Sequence, residues 1–172
     1  MRVLVLMKGR VLPGLLFILY IFFLLYLTVF KRLFFGTTIG MFFESYRLNT
    51  SSLDYNLNLV PFRTIYGYLA HPPSKTVALT NLLGNVLAFM PLGFLVPLVF
   101  KKIYTIRWIL IVSIGSSFVI ELIQLILGVG SLDVDDVLLN LLGGLLGFFV
   151  YKGFKEFFKK YNRKAELAKE SS

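Results

Sequence analysis

The chain has 172 residues, the length of a single domain, and 57% of them are apolar, with a mean hydropathy of +0.78. Charged residues make up only 16%, against about 25% in ordinary soluble domains, so a soluble globular protein is excluded and a membrane protein is expected. The absence of cysteine removes disulfides and thiolate metal sites, and the net charge of +9 does not signify nucleic-acid binding, because the basic residues flank apolar runs instead of forming a stripe with interleaved aromatics.

The first apolar run covers residues 11–30 and is broken only by Pro13, Gly14 and Thr28. Twenty residues of helix span about 30 Å, the hydrocarbon thickness of a bilayer. Arg2, Lys8 and Arg10 precede it as in a signal peptide, but no small-residue cleavage site follows and the run stops at Lys31-Arg32. The pattern is that of an uncleaved signal anchor. Residues 31–79 form a mixed segment with aromatics (Phe34, Phe35, Phe42, Phe43, Tyr46) and three prolines (Pro61, Pro72, Pro73). Part of it is expected along the membrane surface, and its length implies order imposed by the bundle or a function of its own. Residues 56–62 read as a turn entering a short helix.

A second span is predicted at about 80–100, kinked by Pro91, Gly93 and Pro97, and a third at about 106–127. The fourth, at about 136–151, is short; it either tilts little or continues amphipathically through Phe154, Phe157 and Phe158. A basic tail of seven Lys and Arg closes the chain. The division is a membrane domain over 1–151 and a basic tail over 152–172. The fold class is all-α: a polytopic bundle of four transmembrane helices with a long extracellular first loop. The positive-inside rule orients it, because thirteen of the eighteen Lys and Arg fall at the N-terminus, between spans two and three, and in the tail. Both termini are therefore expected in the cytoplasm.

On these helices the polar residues pair by helical spacing. Asn81 and Asn85 lie on one face of span two, Glu121 and Gln124 on one face of span three, and Asp136 and Asn140 on one face of span four. All three pairs fall in the outer half of the membrane. A carboxylate such as Glu121 costs roughly 2.5–3.5 kcal/mol in a membrane helix on insertion scales, and normally faces a bundle interior or wet cavity. Its candidate partners are Gln124, Asn85, Asn140 and an arginine of the first loop, Arg47 or Arg63. The plainer reading is a hydrogen-bonded cluster that holds helices together; the functional reading is a ligand-binding or catalytic site.

Asp133, Asp135 and Asp136 add three carboxylates in four positions. Capping of the fourth helix explains one or two of them. A cation or cationic headgroup, or an acid/base pair, would use the rest, yet the run lacks the calcium-loop glycine and distal Glu, so no metal or cofactor is assigned. The candidate ligand-binding set is Asn81, Asn85, Glu121, Gln124, Asp133, Asp135, Asp136, Asn140 and Arg63, with Glu121 and Asp136 as candidate catalytic groups. Gly143, Gly144 and Gly147 offer a small-residue face for close helix contact, and Gly115, Ser116 and Ser117 are read the same way on span three. His71, the only histidine, reads as a loop residue. No nucleophile–His–Asp set, Walker loop, dinucleotide turn or internal repeat is present.

Four blocks in order resemble the VanZ-like family, named for a teicoplanin-resistance protein: Asn58-Leu-Val-Pro-Phe62; Asn81-Leu-Leu-Gly-Asn85 with Phe89-Met-Pro-Leu-Gly93; Glu121-Leu-Ile-Gln124; and Asp133-Val-Asp-Asp136 with Asn140 and Gly143. The resemblance covers about residues 10 to 150. Some members carry an Arg just before the acidic run, where this chain has Gly130. The resemblance implies a four-helix integral membrane protein of bacterial cell envelopes and, for some members, reduced susceptibility to lipoglycopeptide antibiotics; it implies no defined reaction. Three functions follow as expectations. The first is an outer-leaflet site binding a membrane lipid, a lipid-linked cell-wall precursor or a lipoglycopeptide, and so lowering sensitivity to teicoplanin-like drugs. The second is a membrane enzyme modifying a lipid or precursor headgroup. The third is an accessory subunit of a membrane complex.

Overall fold

Four apolar stretches close their backbone hydrogen bonds internally as helices, which a bilayer demands because its core offers no partner to a bare N–H or C=O. The computed structural model describes residues 11–30, 57–71, 74–128 and 131–170, without the side chains of residues 30, 164–166 and 168–170. The expectations for the N-terminal basic residues, the aromatic segment 31–56 with Arg47, Pro72-Pro73 and Gly130 lie outside the described residues.

Helix α1, Val11–Leu25, runs into a π-helical stretch at Tyr26–Phe30. A two-residue strand β1, Leu57–Asn58, then precedes the short helix α2, Arg63–Ala70. Helices α3, Lys75–Val99, and α4, Ile106–Ile126, follow. A second two-residue strand β2, Leu132–Asp133, leads into α5, Val134–Glu170. Among the described residues, α1 together with its π-helical continuation, α3, α4 and α5 are long and apolar enough to cross a membrane. The all-α polytopic bundle expected from the sequence is the fold observed.

Three details refine that expectation. Helix α3 begins at Lys75, five residues before the predicted span, because the Ser74 hydroxyl accepts a hydrogen bond from the Val77 N–H at 3.1 Å and caps the helix. Pro91 and Pro97 sit inside α3 without ending it. Helix α5 has 37 residues, about 55 Å at 1.5 Å each, so it continues well past residue 151 and outreaches a bilayer of about 30 Å.

The packing is asymmetric in a way that water would not allow. Leu15, Leu19, Phe22 and Phe23 on α1, Leu83 and Leu87 on α3, Phe118 and Val119 on α4, and Phe149 and Val150 on α5 all point outward. Each would forgo roughly 1.5–3 kcal/mol of burial in water. The interior is held by Phe89, Leu92 and Val96 of α3, Ile109 of α4 and Phe148 of α5. The closest seam joins α3 to α5. A Cβ placed on Gly93 would overlap the carbonyl oxygen of Gly144, one on Gly143 that of Val86, and one on Gly147 that of Met90. Only glycine admits this approach of two backbones. Gly144 also meets the Ser113 hydroxyl of α4. Gly115, in contrast, faces open space and is exposed, and Ser116 turns its hydroxyl back on the Val112 carbonyl at 2.7 Å. The small-residue contact on α4 is therefore made by Ser113 and Ser117, not by Gly115 and Ser116.

Candidate ligand-binding site at one end of the bundle

The antiparallel order of α3, α4 and α5 brings the start of α3, the end of α4 and the start of α5 to the same end. Gly128, with φ 62°, ends α4 in the left-handed conformation that helix C-termini favour. The chain then enters β2, which pairs in parallel with β1, Leu57 opposite Leu132 and Asn58 opposite Asp133. This ladder ties the segment before α2 to the entrance of α5.

Asp135 acts at that junction. Helix α2 has Phe62 at its cap position, with φ 66°, and Phe62 has no side chain able to cap. The cap comes instead from 70–73 residues along the chain. One Asp135 oxygen accepts from the Phe62 N–H at 2.5 Å; the other accepts from the N–H groups of Thr64 and Ile65 at 2.7 and 3.1 Å. A carboxylate suits this place because unpaired N–H groups and the positive end of the helix dipole converge there. Asp135 is wholly buried.

Asp133 completes the junction. Its Oδ2 accepts from the Thr64 hydroxyl at 2.5 Å, and its Oδ1 from the Asn58 amide at 3.0 Å and its neighbour's backbone N–H, that of Asp135, at 2.8 Å. The Asn58 amide reaches Thr64 as well, at 2.8 Å. Among the described residues, the donors to these two carboxylates come mostly from α2 and the segment before it, so both acids hold α2 onto the bundle.

A second tier lies deeper. Glu121, buried and about 8 Å from the end of α4, accepts from the Asp133 backbone N–H at 3.2 Å. Gln124, one turn further, donates to the Thr28 carbonyl at 2.9 Å. That carbonyl belongs to the π-helical end of α1, a local winding that often marks functional sites. Asn85 of α3 donates to Asp136 of α5 at 2.5 Å, and both are half-buried. Asn140 donates to the Ser117 hydroxyl at 2.8 Å, while its Oδ1 is buried with no partner among the described residues.

The structure thus brings Asn85, Glu121, Gln124, Asp133, Asp135, Asp136 and Asn140 to one end of the bundle. Asn81 lies at the same level but turns its amide back on the Val77 carbonyl at 2.9 Å. Arg63 is exposed on the first turn of α2. Sequence reasoning missed Asn58, Thr64 and the Thr28 carbonyl. A signal for the first existed in the Asn58–Phe62 block, whereas a backbone carbonyl freed by local winding leaves no trace in side-chain chemistry.

A family model described as VanZ/LLP1 matches residues 17–158. Protein VanZ of Enterococcus faecium is 31% identical over 97 residues, which are 56% of this chain and 52% of that protein. The chain thus spans about half the length of this relative. No solved structure matches the chain.

Proposed function

The chain belongs to the VanZ/LLP1 family, and from that premise we propose that its polar end binds the headgroup of an amphiphilic cell-envelope component, a membrane lipid or lipid-linked precursor. Through that binding it lowers susceptibility to teicoplanin-like lipoglycopeptides. The reading takes the polar end to face outward and both termini to be cytoplasmic, as the distribution of Lys and Arg supports.

The observation that carries it is the contrast between the two tiers. Asp133 and Asp135 are engaged by the donors of α2 and β1. The tier beneath keeps a half-buried Asn85–Asp136 pair and a buried Asn140 oxygen that, like the Asn58 Oδ1 of the junction above, has no donor among the described residues. A buried amide oxygen without a donor costs free energy that a ligand donor would recover. Hydroxyl or amine groups of a lipid-linked headgroup are donors of that kind, and a position below the membrane surface suits an occupant that carries an acyl chain. A teicoplanin-like drug, with its own acyl chain, would meet the same leaflet.

The test is susceptibility to teicoplanin and vancomycin in a sensitive Gram-positive host expressing the chain, beside Glu121→Gln and Asp136→Asn at matched protein levels. The glutamine retains an oxygen to accept from the Asp133 N–H, and the matched protein levels show that the fold survives. Protection by the parent that both variants lose is the expected result. Protection that survives both substitutions, or a well-expressed parent that gives none, overturns the proposal.

A further inference from the structure

The opposite end of the bundle carries a feature that the polar cluster does not use. Where α3 finishes and α5 continues, a groove of about 730 Å³ opens between them, within the roughly 300–1,000 Å³ range of ligand pockets. Phe154 and Phe158 form one wall, their ring centroids 4.4 Å apart, and Phe94 backs Phe154 edge-on at 5.7 Å. Leu98 continues the apolar lining along α3. Three ammonium groups edge it: Lys101 from the turn after α3, and Lys155 and Lys159 from successive turns of α5. Among the described residues, no acid lines it.

The depth of the groove fits a membrane boundary. Tyr151, also in the lining, is 17 residues into α5 from Val134, about 26 Å along the helix, close to one hydrocarbon thickness. On the same rise, Tyr151 and Phe154 lie at the edge of acyl-chain level, and Lys155, Phe158 and Lys159 at headgroup level. Three like charges around one opening repel unless an anion neutralises them, and an apolar wall beside them gains nothing from a free inorganic anion. We infer that this groove binds an anionic glycerophospholipid, its phosphate among Lys101, Lys155 and Lys159 and an acyl chain against Leu98, Tyr151 and Phe154. Basic pockets between membrane helices hold lipid headgroups on this physical basis. Lysines that served orientation alone would need no groove.

The test is native mass spectrometry of the full chain purified in detergent, titrated with dioleoyl phosphatidylglycerol, dioleoyl phosphatidylcholine or inorganic phosphate. The anionic phosphatidylglycerol is expected to bind in preference to the other two. The triple variant Lys101→Gln, Lys155→Gln, Lys159→Gln should weaken its binding about tenfold or more, as three lysine contacts at a lipid surface imply. An equal loss of charge outside the lining, Lys102→Gln, Lys160→Gln, Arg163→Gln, should leave it nearly unchanged. All six residues are exposed, so neither variant removes a buried contact. Equal weakening by both triples overturns the inference in favour of diffuse attraction to a basic tail. Equal binding of phosphatidylcholine, or of phosphate alone, overturns it too.

Discussion

At Asp135 one side chain does the work that a helix normally assigns to its own first residue. Asp135→Ala would leave the part-buried N–H groups of Phe62, Thr64 and Ile65 without their acceptor, at about 1 kcal/mol for each, the lower end of the cost of a bare donor. A loss of about 3 kcal/mol is expected in thermal unfolding in detergent, followed by the fluorescence of the single tryptophan, Trp108. Asp135→Asn keeps one oxygen for the same donors and should fall between. The two halves of the acidic run thus play different parts that spacing could not reveal. Sequence reasoning placed Asp133, Asp135 and Asp136 together, since they are neighbours in the chain and in space. It could not say that two of them face α2 while the third faces Asn85, because the segment carrying Asn58 and Thr64 is brought to them only by the folded chain.

Among the elements, the α3–α5 seam depends on missing side chains more than on present ones. Gly144→Ala adds a methyl where the Ser113 hydroxyl of α4 already sits, and Gly93→Ala adds one where the Gly144 carbonyl sits. At Gly93 the obstacle is backbone, which cannot yield as a side chain would, so overpacking there should reach or exceed the usual cost of about 1–3 kcal/mol, with Gly144→Ala, against a serine side chain, within that range. Gly115→Ala is the matched comparison. Its Cβ meets nothing within 4 Å, and a helix interior favours Ala over Gly by about 0.8–1 kcal/mol. The seam variants should lower the unfolding midpoint in detergent while Gly115→Ala leaves it unchanged or raises it; a fall with Gly115→Ala would count against the packing described. The glycine triplet on α5 was legible in the sequence as a close-contact face. The choice between Gly115 and Ser113 was not, because neighbouring positions on one apolar helix differ only in which way they point.

For the whole molecule, the four spans were legible because the bilayer requires about 20 apolar residues of each and composition alone supplies that signal. The start of α3 was obscured by Pro72 and Pro73, although Ser74 beside them is a capping residue in plain sight. The end of α5 was obscured because its apolar character fades while its helix does not. The proposed orientation makes a direct prediction. A cysteine replacing exposed Leu59 should react with an impermeant thiol reagent in intact cells, whereas one replacing Lys160 should react only after the membrane is opened; the parent, having no cysteine, gives no background. The reverse pattern would place the polar end in the cytoplasm. The distant cap on α2 also bears on the order in which the protein is made. Between Thr64 and Asp135 the ribosome adds 71 residues, about 4–14 s of synthesis at roughly 5–20 residues per second. Throughout that interval α2 has no cap and β1 has no partner strand. The α2 junction is therefore finished only when α5 emerges, and a nascent chain released before α5 would leave α2 uncapped and undocked.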